Sequence, residues 1–577
     1  MGGLITLARS GSIGTFSQNG VAATTTVDFT SGFVKLVVGS SQTLSATAGA
    51  LNGLAITGTG NIVATALEGT PAADLHLITN TGTKTAAFSG TTLTFTGVLG
   101  SFTTTVVFGQ TFAAAAAVVN GKTINGAGNV VVTLPTGTVS ADLHLITNTG
   151  SRTAAVSDDA IFTGNLGTFT TTVAADKNFT ATAAIVNGKT ITADAGTGTI
   201  TVTALNATAS ADLSHITVTG FSGTGSSGQL KAQVSGNVTF TGKLGTFTTT
   251  VAADKNFTAT AAIVNGKTIT ADAGTGTITV TALNTTASAD LSHITVTGFS
   301  GTGSSGKLKA QVSGNVTFTG NLAHFTTTVD PTKTFTAAAA VVDGMTINGA
   351  GNVVVMMTTP TGTISANLYN ILNTGTKTAA VLDNVTFTGG NLGAFTITVA
   401  ATRTFTADAT FVTGKTINGA GNVAVTSLTA GADLHLITNS GNKTAAVSDT
   451  VIFAGNLGTF TATVAADKNF TATAAIVNGK TIIGTGAVAV TALNATSSAD
   501  LSHITNTGNQ MATVSGDITF TGKLGTFTTT VGTGYTFTAT AAAVNGKTIT
   551  GAGGNVAVTA LNATAAADLH LITNGGT

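Results

Sequence analysis

Leu166-Gly-Thr-Phe-Thr-Thr-Thr-Val173, Phe179-Thr-Ala-Thr-Ala-Ala-Ile-Val186 and Thr199-Ile-Thr-Val-Thr-Ala-Leu205 follow one another in a short stretch of chain. Each alternates apolar residues with Thr or Ala, the period-two pattern of a strand with one face inward. β-Branched residues and Gly leave little room for helix. Turn chemistry separates the runs: Ala175-Asp-Lys-Asn178, Asn187-Gly188 and Gly196-Thr-Gly198.

The pattern recurs along all 577 residues. Ala-Asp-Leu-His-Leu-Ile-Thr, or a near variant, starts at Ala73, Ala141, Ala211, Ala289, Ala366, Ala432, Ala499 and Ala567, at intervals of 68, 70, 78, 77, 66, 67 and 68 residues. Within a unit, Thr168 and Thr190 are 22 residues apart and Ile191 and Ile216 are 25 apart. Three windings per unit therefore suit the spacing, and eight units give roughly 24 coils. The expected fold is all-β, an elongated β-solenoid of about eight repeats of ~68 residues. Its rival is a tandem row of small antiparallel β-sandwich domains. Asn-Gly at Asn120, Asn187, Asn265, Asn478 and Asn545 suits the hairpins of a sandwich as well as the corners of a solenoid. The organisation reads as an amino-terminal joining segment, 1–26, and a continuous β-repeat array, 27–577.

Charged residues are 8% of the chain, against roughly 25% in ordinary soluble domains. Lys+Arg 22 balances Asp+Glu 22, so no field gathers nucleic acid. Few charges and zero net charge favour self-association. No cysteine is present, which removes disulfide and thiolate chemistry. The longest apolar run, Phe112 to Val119, is far short of a membrane span of ~18 residues.

Strings such as Val238-Thr-Phe-Thr-Gly242 and Val264-Asn-Gly-Lys-Thr-Ile269 resemble the β-strand repeats of large bacterial surface and secreted proteins, including filamentous adhesins. That resemblance implies an extracellular or cell-surface protein acting in adhesion, a matrix or a surface layer, with cell-surface or matrix components as possible partners.

Gly-Lys-Thr at Gly121, Gly188, Gly266, Gly479 and Gly546 has the ending of a phosphate-binding loop, but Ala116, Ala183, Ala261, Ala474 and Ala541 stand where its first Gly belongs. The recurring His and Asp invite a metal ladder. His76, His144, His435 and His570 follow their Asp by two residues, but His215, His293 and His503 follow by three, and Asn367-Leu-Tyr-Asn370 has neither. A ligand set cannot change register in that way. What stays fixed is Leu one residue and Ile four residues after the Asp position, suiting one helical turn with the Asp as its N-cap. No carboxylate pair repeats, since Glu68 is the only glutamate. Neither catalytic residues, cofactor nor metal are expected.

The function expected is structural. Leu4-Ile5-Thr6 and Leu571-Ile572-Thr573 stand at the same phase of the repeat near the two ends, so they are the candidate subunit-joining residues of a head-to-tail homopolymer: a filament, sheath or surface array. One alternative is a repeat adhesin that binds through the Gly/Ser-rich insertions at Phe221–Gly228 and Phe299–Gly306. The other is an ice-binding solenoid using arrays such as Thr168-Phe-Thr170.

Overall fold

The computed structural model describes residues 3–10, 12–18, 21–28, 35–220, 228–298, 306–359 and 362–575. The two Gly/Ser-rich insertions thus fall outside the described residues except at their edges. About 44% of the chain is strand and 9% helix, wound as a β-solenoid of about 26 turns. That is slightly more than three windings in each of eight units would give. The chain forms two compact units, one of Met1–Thr281 with Asp290–Ser300 and Ser305–Lys309, the other of Ala282–Ala289, Gly301–Ser304 and Ala310–Thr577.

The first unit opens with an antiparallel meander, Leu4–Ser10, Ile13–Gln18 and Val21–Asp28. Its first strand also pairs in parallel with Thr43–Thr47, and from there every described pairing in the unit is parallel. One ladder stacks Thr92–Phe95, Thr111–Ala115, Asn129–Leu134, Arg152–Val156, Thr170–Val173, Ile191–Ala193 and Ile216–Val218. Thr171, Ile191 and Ile216 lie one above another, and the triplet recurs as Thr249, Ile269 and Ile294. Three windings per sequence unit are what the 22- and 25-residue spacings predict. Antiparallel sandwiches would need hairpin ladders throughout, and the parallel pairing overturns that alternative.

The ladders step round the coil once in each sequence unit; in two copies an extra strand, Gly137–Val139 or Thr363–Asn367, stands at the step, and in others a 3-10 turn such as Leu205–Ala207. Arg152–Val156 lies on Asn129–Leu134, whereas the next strand, Ala160–Phe162, lies on Gly137–Val139 and continues another sheet. The second unit repeats the device: Lys377–Val381 lies on Asn352–Met357 and Val385–Asn391 on Thr363–Asn367. Its ladders are parallel too, as in Val451–Phe453, Asn469–Thr473, Ala487–Thr491, Gln510–Val514, Thr528–Val531 and Ile549–Gly551.

The inward residues of each strand are buried: Phe169, Val173, Phe179, Ala181, Ile191, Ile200 and Val202 in one stretch. Phe stacks on Phe one coil later, with ring centroids 6.1 Å apart for Phe95 and Phe112 and 5.6 Å for Phe453 and Phe470. Corners use the expected turn residues differently from a hairpin. A single helical turn, Ala183–Val186, ends at Asn187, and Gly188 takes φ +64° to redirect the chain. The opposite corner is a type II turn. Lys333 N–H donates to Asp330 O (3.1 Å), Pro331 takes the second position and Thr332 the left-handed third, φ +66°.

Candidate functional site: the polar corner of the coil

The Asn-Gly corner and the Asp anchor belong to one ladder. Asn187 Oδ1 accepts from Asp212 N–H (2.9 Å), while Gly188 N–H donates to Asp212 O (2.9 Å). One coil further, Asp212 bridges Lys243. The same joints recur as Asn120, Asp142 and Asn165 in the first unit, and as Asn478, Asp500 and Lys523 in the second. A period-three row of amide, carboxylate and amide or ammonium thus lines the corner of successive coils.

The anchor itself differs from expectation in one respect. Leu75 and Ile78 are buried, as the i, i+3 spacing requires, but the segment is a turn and not a helix. Asp74 Oδ1 accepts from the N–H two residues on, that of His76 (3.1 Å), and Ile78 N–H closes onto Leu75 O (3.3 Å). An Asp side chain closing a turn on its own backbone replaces the N-cap, because the chain re-enters a strand after four residues.

The two histidine registers have different partners. His76, His144 and His435 place Nδ1 2.6 Å from their Asp Oδ1. In the other register a Ser sits between them, and Ser214 Oγ takes Asp212 Oδ1 (2.5 Å) while His215 stands 3.9 Å away. Lys243 Nζ adds a bond to Asp212 Oδ2 (2.9 Å). Lys243, then the Ser214 hydroxyl and N–H, hold the Asp212 carboxyl far below the usual range. At Asp500 the Ser502 hydroxyl leads and Lys523 follows, with the same direction. For Asp74 and Asp142 the imidazole bond is the main cause of a lowered pKa. Among the described residues no group of three or more His, Asp or Glu is placed to hold a metal ion.

Two features were missed in the sequence. The Lys of Gly-Lys-Thr reaches back one coil to a Gly carbonyl: Lys122 Nζ to Gly100 O (2.5 Å), Lys267 to Gly245 (2.6 Å), Lys480 to Gly458 (2.5 Å). This motif is a clamp between windings. Second, Asn80, Asn148, Asn373, Asn439 and Asn506 are buried, each donating Nδ2 to a Gly carbonyl of the preceding coil at 2.6–2.8 Å. Lys84, Lys377 and Lys443 cover the main-chain carbonyl of that Asn (2.5–2.6 Å). The recurring Ile-Thr-Asn-Thr-Gly-x-Lys was the available signal. Copies with the long insertion replace the Asn by buried Val218 and Val296.

The joining residues Leu4, Ile5 and Thr6 pair on one side with Thr43, Leu44 and Ser45, and Ile5 and Thr6 pair on the other with Gln18 and Ser17. Ile572 and Thr573 pair with Ile549 and Thr550, and Leu571 is 40% exposed. Outward threonines align over two coils, Thr180 and Thr182 beneath Thr201 and Thr203, but Ile161 precedes Thr180 and Lys231 follows Thr201. No helix among the described residues is long and apolar enough to cross a membrane. Comparison with protein-family models, curated proteins and solved structures finds no match to this chain.

Proposed function

We infer that this protein is a structural β-solenoid of the cell exterior that assembles with copies of itself by stacking coil on coil. A β-solenoid accords with a repetitive structural or binding protein. The observation that carries the finer reading is the stacking itself: coil lies on coil in parallel register with like residues facing, as Ile191 and Ile216 do, so a coil of one copy fits a coil of another. Among the described residues, strand Asn555–Thr559 pairs with Thr536–Thr540 on one side only. Leu561 is 55% exposed there, whereas Leu493, its counterpart one unit earlier, is fully buried. Val556 and Val558 are half-buried where Val488 and Val490 are buried.

Elsewhere in the chain the next coil of the same pattern covers both the strand edge and the core, and a coil of another copy offers the same cover. Leu4–Thr6 already have strand partners, so the joining surface on the other copy is better sought at Val21–Asp28 and Leu36–Val38, which among the described residues each pair on one side only. Placement outside the cell rests on the resemblance of the strands to surface-protein repeats. Electron microscopy and sedimentation of the purified chain test the reading. Assemblies that grow with concentration and are lost in Leu561→Asp support it. A monodisperse monomer at high concentration, or assemblies indifferent to Leu561→Asp, would overturn it.

A repeat adhesin remains the second reading, favoured by one groove that differs from all its counterparts.

A further inference from the structure

In the copy anchored at Ala366 three substitutions meet at one groove. Asn367 stands where the other anchors have Asp, Tyr369 where the neighbouring copy has His435, and Leu372 where every other copy has Thr, such as Thr438. The turn is kept, because Asn367 Oδ1 still accepts from Tyr369 N–H (3.2 Å). Its charge is gone. Tyr369 and Leu372 are each 64% exposed, the more conspicuous because a small polar residue serves the other copies at the Leu372 position.

Both line a groove of about 450 Å³ with Lys377, Asn391, Ala394 and Lys415. Lys377 Nζ donates to Asn373 O (2.6 Å) and Lys415 Nζ to Gly393 O (2.5 Å). An ammonium has three donors, so each retains capacity toward a ligand. No carboxylate lines the groove. Asn391 Oδ1 accepts from Gly393 N–H (2.9 Å), and its NH₂ supplies two further donors. An aromatic face, an aliphatic patch, two cations and an amide therefore converge where the repeat ordinarily puts a carboxylate.

We propose that this groove binds a carboxylated sugar unit of an acidic polysaccharide. The Tyr369 ring and Leu372 cover the apolar C–H face of the pyranose, Lys377 and Lys415 take the carboxylate through charge-assisted hydrogen bonds, and Asn391 meets a hydroxyl. The volume suits one or two sugar rings, within the ~300–1,000 Å³ usual for small-ligand sites. The groove is open to solvent, so a linear polymer can enter without its ends. A neutral apolar ligand would leave both lysines unanswered, and a bare anion would leave Tyr369 and Leu372 unused.

The test titrates the full chain with a uronic-acid oligosaccharide and with its neutral counterpart, following binding by calorimetry and by Tyr fluorescence. Two variants borrow residues that this protein already uses at the same positions. Asn367→Asp/Tyr369→His/Leu372→Thr rebuilds the anchor of the neighbouring copy. Lys377→Gln copies Gln510, which caps the equivalent Asn506 carbonyl (2.9 Å). Binding of the acidic oligosaccharide alone, weakened by salt and reduced about tenfold or more by each variant, supports the proposal. Equal binding of the neutral sugar, binding unchanged in the variants, or no binding at millimolar ligand would overturn it. Assembly measured in the same samples is independent of the groove, so failure here leaves the structural reading standing, and the reverse.

Discussion

Lys267 Nζ donates to the carbonyl of Gly245, 2.6 Å away and 22 residues earlier in the chain. Two windings are thereby tied at a corner where strand pairing has lapsed. Lys122, Lys415 and Lys480 form the same bond, while Met345 occupies the position in one copy. Lys267→Met should therefore fold and lose about 1–2 kcal/mol, the scale of a hydrogen bond to a charged group. Denaturant midpoints of the two chains check this. An unchanged midpoint would make the clamp a passive contact.

The middle threonine of the Thr-Thr-Thr strands points inward. Thr171, Thr249, Thr327 and Thr529 are fully buried, and their hydroxyls have no hydrogen-bond partner. Ile397 and Ala462 hold the same position in other copies and are equally buried. Thr171→Val should raise stability by about 1 kcal/mol, because a desolvated hydroxyl gives way to a methyl of similar shape. A loss of stability would reveal a partner for the hydroxyl.

At the type II corner Thr402 is held at φ +66°, where Gly109 and Gly534 serve other copies. A β-branched residue in that region is strained by roughly 1–2 kcal/mol, partly offset by the chain entropy that Gly brings. Thr402→Gly should raise the thermal midpoint modestly. The reverse change, Gly534→Thr, should lower it.

Tight stacking sets the opposite rule at Gly164, where a Cβ would lie 2.0 Å from the Ala141 carbonyl oxygen. Gly164→Ala should cost about 3 kcal/mol or more and concentrate the loss between two windings. Hydrogen exchange should accelerate around Asp142 and Asn165 while the other unit keeps its protection. Uniform loosening of the whole chain would contradict that local account.

The strands, their inward faces and the three-coil unit were legible in the chain because strand period and Gly punctuation are local. Ile191 and Ile216 were already visible as successive windings from their 25-residue spacing. Lys267 and Gly245 were not, since a single pair of residues 22 apart carries no local period. The antiparallel meander at Leu4–Asp28 was hidden for another reason: strand pattern fixes which residues face inward but not the direction of the neighbour. At the anchor, Leu-x-x-Ile fits a helical turn and a closed β-turn alike, and only the return to strand within four residues separates them. The Tyr369 groove was readable as a lapse in the His pattern; its lysines became relevant only when Lys377 and Lys415 met across coils.

The Asp212 hub gives a pH dependence with a definite sign. Lys243 and Ser214 depress its carboxyl in the folded chain, whereas the unfolded carboxyl keeps an ordinary value of about 3.9. At intermediate pH the unfolded state therefore binds more protons, and stability falls as the solution is acidified. The contribution is fully present above about pH 5 and is lost progressively as pH drops through the usual carboxylate range toward the lower folded value. Asp212→Asn keeps the turn, as Asn367 does in its own copy, and removes only the charge. Its stability deficit against the parent chain should be largest near neutrality and shrink steadily below pH 4. His215→Ala should be nearly silent at every pH, since His215 stands 3.9 Å from Asp212 behind Ser214. A deficit for Asp212→Asn that does not change with pH would show that the carboxylate acts by shape alone. One that grows on acidification would reverse the sign.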